Sequence, residues 1–134
     1  MLNFIKRLFG EPEEGDDLEW LQRVWELKRQ FDDINLAVQN AMMGDSVEDL
    51  LGAFDRASTE MPELLRKLEA LPPKSERRRR SFTVFLEGLT AYKLACDYSK
   101  KSLEENDDVA YRHAVKHMKD AGQLMKQAGN LLKR

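Results

Sequence analysis

Apolar residues recur along this chain at alternating steps of four and three, the period of an amphipathic helix and not the step of two of a half-buried strand. Trp20, Val24, Leu27, Phe31, Ile34, Val38 and Ala41 form the first such seam, with Leu21, Trp25 and Met42 beside it. The seam predicts a helix from about Leu18 to Met43, capped by Asp16 or Asp17 and stopped at Gly44. Ser46, with Asp49 three residues on, opens a second helix whose seam is Leu50, Phe54, Ala57, Met61, Leu64, Leu68 and Leu71. That seam keeps phase through Pro62, so the expectation is one helix with a kink or a one-turn break near Thr59 to Met61, ended by Pro72 and Pro73. Ser75 opens a third, about Glu76 to Glu104, with Phe82, Phe85, Leu89, Tyr92, Cys96, Ser99 and Leu103 on its seam and Gly88, Ala91 and Ala95 as small neighbours.

The last helix, Val109 to Lys133, has the widest apolar arc. Ala110, Ala114, His117, Ala121, Leu124, Ala128 and Leu131 make one row, and Tyr111, Val115, Met118 and Met125 broaden it until only the stripe from Arg112 through Lys116, Lys119, Gln123, Lys126 and Asn130 to Lys133 stays polar. Such a helix is expected to be embraced on several sides, with the other three wrapped around it. Four long helices joined by short turns favour antiparallel neighbours. The expected fold of residues 18–134 is therefore all-α, an antiparallel up-down-up-down four-helix bundle.

Residues 1–10 form a separate amphipathic segment: Met1, Leu2, Phe4, Ile5, Leu8 and Phe9 share one arc, with Asn3, Lys6 and Arg7 opposite. An acidic linker, 11–17, follows. The segment is expected to cap the bundle, to enter a partner's groove, or to lie on a membrane surface with Leu2, Phe4, Ile5, Leu8 and Phe9 buried.

Charge changes the picture more than composition does. Residues 1–71 carry 8 basic and 16 acidic groups and residues 72–134 carry 14 and 8, so halves of net −8 and +6 make up the total of −2. Opposite halves favour self-association in a preferred register. Arg77, Arg78, Arg79 and Arg80 form a collar around the start of the third helix; with Lys116 and Lys119 they are the candidates for an anionic partner. Nucleic acid is disfavoured, because the chain is acidic overall and its aromatic residues fall on core seams. A single cysteine, Cys96, and the lack of a long apolar run point to a cytoplasmic protein, with a peripheral place at the membrane as the second setting.

Candidate chemistry is sparse. No glycine-rich phosphate loop, metal-spaced cysteine cluster or nucleophile elbow occurs. His113, His117 and Asp120 have a spacing that can turn three ligands toward one metal, but the Glu-x-x-His pairs of di-metal bundles are missing, so no metal or cofactor is assigned. Arg112, His113 and His117 resemble the Arg-polar-x-x-x-His motif of the HEPN family of small all-helical ribonucleases. The resemblance implies a site at a dimer interface, in which Arg112 stabilises phosphate charge and His117 handles the proton of a 2′-hydroxyl. The chain departs from that family in having His113 where Asn is usual and in the short helix that follows. The leading expectation is a non-enzymatic interaction module, an adaptor or small subunit that binds a protein partner and pairs with itself. A peripheral membrane protein anchored by residues 1–9 comes second and the ribonuclease third.

Overall fold

The computed structural model describes residues 16–131. Among them four α-helices follow one another and no strand occurs: α1 Asp16–Met43, α2 Val47–Glu69, α3 Glu76–Glu105 and α4 Asp108–Leu131. The expected boundaries hold to within two residues wherever they can be compared. The amphipathic segment of residues 1–10 lies outside the described residues.

Local chemistry accounts for the ends. The Ser46 hydroxyl accepts the Asp49 N–H at 3.1 Å, with Glu48 and Asp49 in the first turn of α2 and Arg66 and Lys67 in its last, each complementing the helix dipole. Asn106 adopts the left-handed conformation, φ 51°, and turns its N–H back to the Ser102 carbonyl. Asp107 then caps α4, its Oδ1 accepting the N–H groups of Val109 at 3.0 Å and Ala110 at 3.1 Å. α2 runs through Pro62 as the one helix expected, without the one-turn break that is the alternative to a kink. Met61, Leu64, Leu65 and Leu68 are all buried around the proline, and this shared core contact outweighs the hydrogen bond that Pro62 cannot donate.

The helix at the centre is α3. Phe82, Phe85, Leu89, Tyr92 and Cys96 are buried along it. Trp20 meets the Phe82 ring edge-on at 5.4 Å between centroids, Phe31 meets Tyr92 at 4.9 Å, and the Tyr92 hydroxyl donates to Asn35 Oδ1 at 3.1 Å, so α1 is bound to α3 over much of its length. Trp20 also donates its indole N–H to the Leu71 carbonyl, just beyond α2.

The last helix is not the one the others surround, and this corrects the sequence expectation. α4 buries only Ala110, Ala114, Ala121 and Ala128. Its packing is very close but one-sided: a Cβ added to Gly88 of α3 would lie 3.4 Å from Leu124 Cβ and from the Met125 side chain. Small residues on both helices let the backbones approach on one line of contact; Met118, Leu124 and Met125 are half-buried beside it, and Val109, Tyr111 and Val115 stay exposed.

Candidate interaction groove

The core thins toward one end. Along α1, α2 and α3 the seam residues from Trp20 to Val38, from Phe54 to Leu68 and from Phe82 to Cys96 are buried, whereas Ala41, Leu50, Ser99 and Leu103 are only half-buried. There the helices enclose a cavity of about 410 Å³. Met42 of α1, Leu50 and Phe54 of α2, and Ser99, Ser102 and Leu103 of α3 form its floor and one wall; Tyr111, Ala114, Val115, Met118 and Lys119 of α4 form the other. Three of its lining side chains face solvent: Met42 is 61% exposed, Tyr111 60% and Val115 52%. Met43, next to Met42 in the chain, is 86% exposed. A surface on which apolar groups gather in this way is a feature of docking sites and not of ordinary protein exterior.

Helical geometry explains why α4 offers these residues. At about 100° per residue Ala114, Ala121 and Ala128 fall on the line against α3, Tyr111, Val115 and Met118 turn to one flank, and His113 and His117 to the other. Just beyond the apolar flank lie Arg112 and Lys119, seven residues apart and both exposed. Across the groove the turn from α1 into α2 carries Asp45, Glu48 and Asp49, exposed as well. The groove therefore has an apolar floor, one basic rim and one acidic rim.

On the opposite flank of α4 the two histidines stack on Tyr98 of α3, with ring centroids 5.0 Å away for His113 and 5.4 Å for His117. This ring cluster was not expected from sequence, which paired the histidines but gave Tyr98 no role. Arg112 and His117, five residues apart, project about 140° from each other around the helix, so one chain does not bring them to a common point. Among the described residues no group of three or more His, Cys, Asp or Glu side chains is placed to hold a metal ion.

The arginine collar is uneven. Arg77, Arg79 and Arg80 are exposed, whereas Arg78 is buried, 4% exposed, so its guanidinium does not belong to the solvent face of the collar. Arg79 donates from Nε to the Pro73 carbonyl at 3.0 Å and lies 3.6 Å from Glu76. Arg80 reaches a second, more polar cleft with Gln123, Lys126, Gln127 and Asn130. Lys116 is exposed and Lys119 lines the apolar groove. The candidates Leu2, Phe4, Ile5, Leu8 and Phe9 lie outside the described residues.

Cys96 is fully buried, and burial pushes its thiol up to about 12 against a weaker opposing hydrogen bond from Tyr92. Such a thiol is a packing group and not a nucleophile. No described helix is long and apolar enough to cross a membrane. Comparison with protein families, with curated proteins and with solved structures finds no match.

Proposed function

We propose that this chain is a non-enzymatic helical interaction module, an adaptor or small subunit whose working part is the groove between Met42 and Tyr111. The observation that carries this reading is the concentration of exposed Met42, Tyr111 and Val115 around one apolar cavity, while most other large apolar side chains among the described residues are covered. Grooves of this kind accept the apolar face of a helix, and methionine lining adapts to the shape of what enters. The scaffold belongs to the reading too: the helices alternate in direction as an up-down-up-down bundle. This is supported by Trp20, Leu71 and Phe82, with Ser81 against Ala128, meeting toward one end, while Asp55 pairs with Lys100 farther along. A cytoplasmic setting completes it, supported by the single, deeply buried Cys96.

Oxidative footprinting tests the reading. Met42, Met118 and Tyr111 are labelled once in dilute purified protein and once in an extract of the native cell. The expected result is protection of all three in the extract, with the exposed α2 surface unchanged. Equal labelling in both samples would refute the reading.

A further inference from the structure

We infer that the groove is filled by the same groove of a second copy, with α4 of each chain laid along the α1–α2 turn of the other. The inference rests on the interaction-groove reading and names its partner. Charge complementarity selects this occupant. The groove's α4 rim carries Arg112 and Lys119, one heptad step apart and both exposed, and the α1–α2 turn on its other side carries Asp45, Glu48 and Asp49. A two-fold axis through the cavity sets each basic row against the partner's acidic turn, because an isologous contact repeats every pairing in reverse. A partner presenting a uniformly basic or uniformly acidic helix would satisfy one rim and repel the other. The chain's own division into an acidic first half and a basic second half extends the same match beyond the groove.

The apolar part fits equally well. Tyr111, Val115 and Met118 of one copy would lie over Met42 and Leu50 of the other. α4 has room for a neighbour there: a Cβ added at Gly122 or Gly129, on the same flank, would meet nothing within 4 Å. Among the described residues that flank is open, and in the pair it becomes an interface of the coiled-coil kind, with Arg112 and Lys119 at flanking positions that set register.

Sedimentation velocity on the full chain, from about 10 µM to 1 mM, tests this, with circular dichroism checking that each variant keeps its helix content. The wild-type chain is expected to approach twice its 15.6 kDa mass as concentration rises. Val115→Glu is expected to weaken pairing at least tenfold, and so is the pair Arg112→Glu with Lys119→Glu. The pair Glu48→Lys with Asp49→Lys, on a separate chain, is expected to do the same. Mixing the two charge-reversed chains is expected to restore pairing, because both rims then match again. A wild-type chain that stays monomeric at 1 mM overturns the inference, as do charge reversals that fail to rescue each other. Pairing that rises tenfold when residues 2–9 are deleted also overturns it, since the chain's own N-terminal segment would then be the occupant. A monomer whose Met42 and Tyr111 are nonetheless protected in the extract refutes the second copy and leaves the interaction-groove reading standing.

Discussion

The Ser81 hydroxyl of α3 donates to the Ala128 carbonyl of α4 across 2.7 Å, and both residues are fully buried. Beside the four buried alanines and the half-buried Met118, Leu124 and Met125, this polar link ties α4 to the core. Removing a buried hydrogen bond costs about 1–2 kcal/mol when the acceptor is left without its donor. Ser81→Ala is expected to lower stability by that amount, measured by urea unfolding, and to raise amide exchange in α4 before α1. Loss spread evenly over all four helices would show that α4 is not separately held.

Two glycines should respond differently. Gly122 sits in mid-helix with open space where a side chain would point, so Gly122→Ala is expected to stabilise the dilute chain by about 0.5–1 kcal/mol through helix propensity alone. At Gly88 the added methyl would press on Leu124 and Met125 at 3.4 Å. There the methyl fills the contact and the Met125 side chain must yield to it, so the propensity gain is expected to be smaller than at Gly122 or cancelled. Thermal unfolding of both variants in dilute solution decides it.

Pro62 lies within a continuous helix and is exposed. Pro62→Ala restores the N–H that can bond to the Ser58 carbonyl one turn back, at an exposed position. A gain of roughly 1–2 kcal/mol is expected, less than the full cost of an interior proline because the unfolded chain also becomes freer. Urea midpoints at constant m-value measure it.

Stability should fall at high pH, and Cys96 should be part of the reason. Burial raises the Cys96 thiol from an ordinary 9.0 to about 12, and burial likewise raises the Tyr92 hydroxyl. Between those values the unfolded chain releases the thiol proton and the folded chain keeps it, so rising pH favours unfolding. The slope for one withheld proton is about 1.4 kcal/mol per pH unit. Below pH 8 the thiol contributes no slope. Cys96→Ala is expected to flatten the decline above pH 9, in melting curves collected from pH 8 to 11, whatever it does to absolute stability.

Much of the scaffold was legible because a seam at steps of four and three records which side of a helix is covered. Trp20 to Val38, Phe54 to Leu68 and Phe82 to Cys96 are buried as their spacing predicts, and Ser46 caps α2 with the predicted partner. What periodicity cannot record is who does the covering. Tyr111, Val115 and Met118 give α4 the same apolar signal whether the neighbour is α1 or another chain, so the last helix read as central although it lies at the edge. The groove's far wall was hidden for a related reason: Met42 and Leu50 looked like ordinary seam residues, and only the tertiary arrangement sets them opposite Tyr111. The ring cluster of Tyr98 with His113 and His117 joins two helices, and no spacing along one of them announces it.

The most direct measurement on the groove is an isotope-filtered nuclear Overhauser experiment on a sample mixing labelled and unlabelled full-length chains near 1 mM. Transfer between the Val115 or Met118 methyl groups of one chain and Met42 or Leu50 of another is the expected result. Sharp monomeric spectra without any transfer between chains, at the same concentration, would contradict a groove closed by a second copy.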